Sequence, residues 1–92
     1  MPTDVIHSPS ATLGTLLAAA RKEAGLTVEQ VSAGTRISVN YVLALETGNH
    51  SQYPRRPFIS GYVRSLCEIY RLKEDDSKFV LEKAREESLD AE

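Results

Sequence analysis

Residues 25–48 read GLTVEQVSAGTRISVNYVLALETG, and two helix starts and two helix stops are legible in those letters alone. Thr27-Val28-Glu29-Gln30 has the spacing of a capping box, in which the Thr27 hydroxyl and the Gln30 amide satisfy opposite backbone donors at a helix start. The short helix that follows, 28–35, turns Val31 inward and stops near Thr35. Ile37 is apolar, Ser38 can cap the next helix, and Gly48 closes that helix after Thr47. Two capped helices, 28–35 and 39–47, therefore meet at a tight turn.

Towards the N-terminus, Leu13, Leu17, Ala20 and Ala24 recur at three- and four-residue intervals and share one helical face, with Leu16 on its flank. Arg21, Lys22 and Glu23 form the wet end of this helix, 13–24, and Gly25 stops it. Residues 1–11, with two prolines, two serines and no periodicity, are expected as a disordered leader. Downstream, Pro57 suits the first turn of a fourth helix, 57–71, because its missing donor would have had no partner there. Ile59, Val63, Leu66, Cys67 and Tyr70 form that helix's inward stripe. A fifth helix is expected over 75–88, with Glu74, Asp75 and Asp76 at its positive end and Phe79, Val80 and Ala84 on its buried side. No segment alternates as a strand would, and no repeat is visible. The expectation is one all-α domain of five helices over 12–89. Its predicted core is Leu13, Leu17, Ala20, Leu26, Val31, Ile37, Val42, Leu45, Ile59, Val63, Leu66 and Phe79.

Ninety-two residues, 41% hydrophobic and 26% charged, suit one small globular unit. Folding at this size buries only about 60–65% of the unfolded chain's surface, which favours a binding module over a deep enzyme cleft. The longest apolar run, 16–20, is five residues, against roughly 20 for a membrane-spanning helix. The first ten residues lack the basic start and apolar core of a secretory signal, so a cytoplasmic placement is expected. Cys67 is the single cysteine, and His7 and His50 lie far from it in sequence. Internal disulfides are excluded, no zinc-ligand spacing is present, and neither metal nor cofactor is expected.

The net charge of −2 hides a strong asymmetry. Residues 1–54 carry three basic and four acidic side chains. Residues 55–73 set Arg55, Arg56, Arg64, Arg71 and Lys73 against Glu68 alone, a net +4, whereas 74–92 hold three basic and eight acidic residues, a net −5.

Helix, capped short helix, tight turn and capped short helix over 13–48 is the layout of a helix-turn-helix unit, whose later helix can enter the DNA major groove. The stretch resembles the Cro/CI-type helix-turn-helix domains, and more closely the cytoplasmic domains of the RodZ-like family of bacterial cell-shape proteins. The residues that carry the resemblance are Leu13-Gly14, Gly25-Leu26-Thr27, Thr35-Arg36-Ile37, Tyr41-Val42-Leu43-Ala44-Leu45-Glu46-Thr47-Gly48, and Phe58-Ile59-Ser60-Gly61-Tyr62-Val63-Arg64-Ser65. The Phe-x-x-Gly-Tyr-x-Arg-Ser pattern is the part specific to the RodZ-like branch. The resemblance implies a five-helix Cro/CI-like fold and a partner, the actin-like filament protein MreB, contacted by the aromatic positions that match Phe58 and Tyr62. Arg36 stands at the turn position where DNA-binding relatives usually carry glycine, which also favours that branch. RodZ-like proteins usually have a membrane-spanning helix; these 92 residues contain none, so tethering to the inner membrane is expected only if the segment belongs to a longer chain.

Advancing 100° per residue along the third helix turns Val42 and Leu45 inward, with Ser38 and Tyr41 beside them, and turns Val39, Asn40, Leu43, Ala44 and Thr47 outward. Base reading relies on Arg, Lys, Asn or Gln, and only Asn40 qualifies on that face. Sequence-specific DNA binding, with Asn40 as reader and Arg55 and Arg56 on phosphates, is therefore the alternative function, that of a small transcriptional regulator. The expectation is weak, salt-sensitive binding at most, since a pI near 5.7 offers little attraction to a polyanion. Val39, Leu43 and Ala44 either pack under the loop 49–57 or form a docking face.

On the fourth helix, Phe58 and Tyr62 are one turn apart on a stripe that continues through Ser65 and Ile69, beside the core stripe. Aromatics flanked by arginine are the residue types of binding hot spots, so Phe58, Tyr62, Arg64 and Ser65 are the candidate partner site; the alternative is that both aromatics are core. Gly61, unfavourable in a helix by about 1 kcal/mol relative to alanine, suggests that another backbone comes close, either the domain's own first helix or a partner's. Cys67 reads as a small buried hydrophobe and His50 as a solvated loop residue. Asp75 and Asp76 are explained by the helix dipole. No catalytic constellation emerges, and a monomeric, non-enzymatic domain is expected.

Overall fold

The computed structural model describes residues 12–87 and places five α-helices in them: α1 (Leu13–Ala24), α2 (Val28–Thr35), α3 (Val39–Thr47), α4 (Arg56–Ile69) and α5 (Glu74–Glu86), with a 3-10 turn at His50–Gln52 between α3 and α4. The described residues contain no strand, and the fold is all-α. The leader expected over 1–11 and the last residue expected for the fifth helix, Ser88, lie outside the described residues.

Local chemistry sets most of the boundaries. Thr12 Oγ1 accepts from Thr15 N at the head of α1, and at its foot Gly25, at φ 75°, lets its own N–H reach Lys22 O and that of Leu26 reach Arg21 O. This is a Schellman closure. The capping box of α2 is complete: Gln30 N donates to Thr27 Oγ1 at 3.1 Å and Thr27 N donates to Gln30 Oε1 at 2.8 Å. α2 ends on Arg36 in the left-handed region at φ 65°. Thr35 Oγ1 donates to Val31 O and accepts from Ile37 N, tying the helix end to the turn. Ser38 then caps α3 by accepting from Tyr41 N. α4 starts one residue earlier than expected, with Pro57 inside its first turn, and ends at Ile69, two residues short of the expected end. Arg71, at φ 59°, closes it with the same pair of backbone bonds that Gly25 makes. At the far end of the chain the Glu87 carboxylate accepts from Leu13 N at 2.8 Å, capping α1 across the domain.

α1 packs on α3 and α5, α2 on α3 and α4, and α4 on α5, around a core that includes Leu13, Leu17, Val31, Val42, Leu45, Ile59, Val63 and Leu66. Three expectations for the core need correction. Leu16, expected on a flank, is fully buried, because α1 is covered from two sides. Leu26 is half-buried, packed against the core rather than within it. Phe79 is also half-buried: α5 turns Val80 and Ala84 inward, which leaves Phe79 on its shoulder with the Lys83 ammonium 5.9 Å from its ring centre. For Ala44 the reading that it packs under the following loop holds: it is buried, because the chain folds back after α3, where Asn49 N bonds Ala44 O and the 3-10 turn packs on the helix.

α1 and α3 meet at a glycine. A Cβ on Gly14 would run into the Glu46 carbonyl oxygen and lie 2.9 Å from Leu45 O, so the backbone of α3 occupies the space a side chain would need. Gly14→Ala is therefore expected to destabilise the domain by about 1–3 kcal/mol despite alanine's better helix propensity, because the α1–α3 contact has to open. Urea denaturation followed by circular dichroism checks this; a neutral or stabilising effect would contradict it.

Candidate functional site

Phe58 is the most exposed large apolar side chain described, with 53% of its surface accessible. Its ring stacks on Tyr62, with centroids 6.3 Å apart and planes 22° apart, and Tyr62 in turn meets Tyr41 of α3 at 5.9 Å. Tyr62 and Tyr41 are half-buried. The two aromatic readings thus separate: Tyr62 belongs partly to the core, whereas Phe58 is held at the surface by a neighbouring ring. Tyr41, which periodicity places merely beside the inward face of α3, is the member of this ladder that sequence reasoning missed. Only the packing of α3 near α4 brings it there.

Ser65 and Ile69, one and two turns further along α4, are half-buried and line an open groove of about 370 Å³ with Gly34, Thr35 and Glu68. Arg55, Arg56, Arg64, Arg71 and Lys73 are all exposed, as is Glu68. The net +4 of residues 55–73 is therefore a surface property of α4 and its flanks.

Gly61 also lies exposed on α4. A Cβ built there would meet none of the described residues within 4 Å, so α1 is not the backbone that Gly61 was expected to accommodate.

On α3, Asn40, Leu43 and Thr47 are exposed, Leu43 at 41%, and Val39 is half-buried. With Ala44, Asn49 and Gln52, the exposed three line a shallow groove of about 160 Å³ that contains no charged side chain. Thr47 Oγ1 is engaged as donor to Leu43 O, and Asn49 Oδ1 accepts from Ser51 Oγ. Asn40 does not stand with Arg55 and Arg56 in this groove, since neither arginine lines it.

The strongest polar feature is a partly buried ion pair between α1 and α3. Arg21, expected at the wet end of α1, instead grips Glu46 of α3 through Nε at 2.7 Å and Nη2 at 3.1 Å, while Nη1 donates to Leu26 O at 3.0 Å. The side chains are 16% and 5% exposed. The hydrogen bond to Glu46 raises the Arg21 pKa above its ordinary value, outweighing the lowering by burial. The fork joins α1 to α3 and keeps Glu46 off the outward face.

Burial pushes the Cys67 thiol from 9.0 up to about 11, and raises the Tyr70 phenol well above 10.0, with the Glu46 carboxylate adding to the latter. Both groups stay neutral in the fold when the unfolded chain has already released its protons. Stability should therefore hold up to about pH 9 and fall as pH rises towards 11 and beyond. Melting temperatures measured between pH 7 and 11 check this, with Cys67→Ala giving a shallower decline; a curve flat to pH 11 would contradict it. His50 is exposed, its ring edge-on to Tyr53 at 4.6 Å. Among the described residues, no group of His, Cys, Asp and Glu side chains is arranged to hold a metal ion, and no helix is long and apolar enough to cross a membrane.

Comparison with curated proteins and with solved structures gave no match. A family model described as a helix-turn-helix domain matches residues 16–77. The match starts within α1, takes in the capped pair α2–α3 and all of α4, and reaches the first turn of α5. Covering about two thirds of the chain, and laid over helices that the structure places in that order, it shows that the chain belongs to the helix-turn-helix domain family.

Proposed function

We propose that this helix-turn-helix domain is a RodZ-like, non-enzymatic adaptor that binds an actin-like MreB-type filament protein through α4. Phe58 and Tyr62 are its anchors, and Arg64 and Ser65 are its rim. The observation that carries the reading is the half-exposed Phe58 ring, a large apolar side chain left more than half accessible to water and stacked on Tyr62. The uncharged outward side of α3 supports the same reading, since a major-groove reader with no basic residue on its recognition helix lacks its commonest contacts.

Co-sedimentation of the monomeric domain with polymerised MreB-type filaments tests it, run beside a gel shift on random duplexes at physiological salt. Saturable pelleting with filaments, and only weak, salt-sensitive DNA retention through Arg55, Arg56 and Arg64, is the expected outcome. Sub-micromolar, sequence-selective DNA retention that Asn40→Ala abolishes would instead identify a transcriptional regulator.

A further inference from the structure

α4 begins without the device that starts the first three helices. Thr12, Thr27 and Ser38 each accept a backbone N–H with a side-chain oxygen, whereas Arg55, at the head of α4, makes no side-chain cap bond. The first turn closes through Phe58 N on Arg55 O at 2.9 Å, with Pro57 inside it. Helix ends fray, an uncapped one most easily, and the half-exposed Phe58 ring sits in that first turn.

The ring that steadies it comes from another helix. Phe58 lies on Tyr62 at 6.3 Å and Tyr62 meets Tyr41 of α3 at 5.9 Å, both inside the range of about 4.5–7 Å over which aromatic rings attract. α3 and α4 each pack on α2 and only weakly on one another, so Tyr41 spans a gap between two helices to reach the ladder. Tyr41 is half-buried at its inner end, and Phe58 is its outer end. A binding anchor contributes most when it is already held in its bound orientation, because ordering a loose side chain costs affinity. Resting on the docking role proposed for α4, we infer that Tyr41 is a positioning residue of that site: leaning on Tyr62 from α3, it fixes the direction in which the Phe58 ring is presented to the partner.

The ladder is made by rings. Tyr41→Phe should therefore bind as the wild type does, whereas Tyr41→Leu, which keeps apolar volume and removes the ring, should bind about three- to tenfold more weakly. The effect runs through Tyr62, so on a Tyr62→Leu background Tyr41→Leu should take away nothing more. The experiment is a titration of the full chain with purified MreB-type filament protein, as wild type, Tyr41→Phe, Tyr41→Leu, Tyr62→Leu, the Tyr41→Leu/Tyr62→Leu double variant and Phe58→Ala. Melting curves and amide hydrogen exchange are measured on each variant alone, and Tyr41→Met serves as a second ringless variant.

Non-additive losses of affinity, wild-type binding by Tyr41→Phe, and faster exchange confined to residues 56–62 in the ringless variants support the inference. Wild-type affinity in Tyr41→Leu, with binding lost in Phe58→Ala, overturns it and leaves the docking role standing. Additive losses overturn it as well, since Tyr41 would then act without Tyr62. A fall in melting temperature with faster exchange throughout the domain in both ringless variants overturns it too, because Tyr41 would then support the core and not the anchor. Absence of binding by the wild type overturns both the inference and the docking role.

Discussion

Replacing Glu46 with alanine is expected to lower the stability of the domain by about 1–3 kcal/mol. The carboxylate is 5% exposed and holds two guanidinium nitrogens, so its removal leaves Arg21 largely enclosed, with the Leu26 carbonyl as its remaining hydrogen-bond acceptor among those described. A charge left in that state is strongly unfavourable. A domain of this kind has only about 5–15 kcal/mol to lose, so unfolding in urea should move to a much lower midpoint with the slope unchanged. Replacing both partners at once, Arg21→Met with Glu46→Leu, should recover much of the loss, because an ion pair partly withdrawn from water contributes less net stability than its rupture removes. A single-variant effect below about 1 kcal/mol would mean that the pair behaves as an exposed surface bridge.

Phe58→Ala is expected to weaken capture of the filament protein by about 2 kcal/mol or more, roughly thirtyfold, while the melting temperature moves little. The second half of that expectation follows from exposure: more than half of the side chain already faces water in the free domain, so its removal opens no cavity. Tyr62→Ala differs. Its ring bridges Phe58 and Tyr41 and is half-buried, so binding and melting temperature should fall together. Phe58 is therefore the cleaner probe. Titration with the filament protein, with melting curves taken in parallel, separates the two effects. Equal affinity in Phe58→Ala and wild type would remove α4 from the site.

The parts of this fold that were legible in the sequence are those written in short-range chemistry. Thr27, Gln30, Ser38, Gly25 and Gly48 act on backbone groups within a few residues of themselves, and each does in the structure what its spacing implies. What the sequence concealed depends on distant neighbours. Arg21 and Glu46 are 25 residues apart, and nothing local distinguishes that arginine from a solvated one. Leu16 is buried because α1 is covered from two sides. Gly61 was the glycine at which a close backbone was expected, yet among the described residues it is Gly14, in the first turn of α1, that has one, because only the packing of α1 on α3 brings it there. The candidate docking face was readable as the stripe Phe58, Tyr62, Ser65 and Ile69. That Phe58 stands out in water while Tyr62 leans on Tyr41 was not, because it depends on how α3 packs near α4.

The central claim is that this helix-turn-helix domain meets its partner with α4 and not with α3, and amide chemical-shift mapping tests it most directly. At 92 residues the labelled chain is small enough for every helix to be followed while unlabelled filament protein is added. Saturable shifts concentrated on Arg56–Ile69 and on Tyr41 are the predicted result. Shifts concentrated instead on Asn40, Leu43 and Thr47, or an absence of any saturable change, would contradict it.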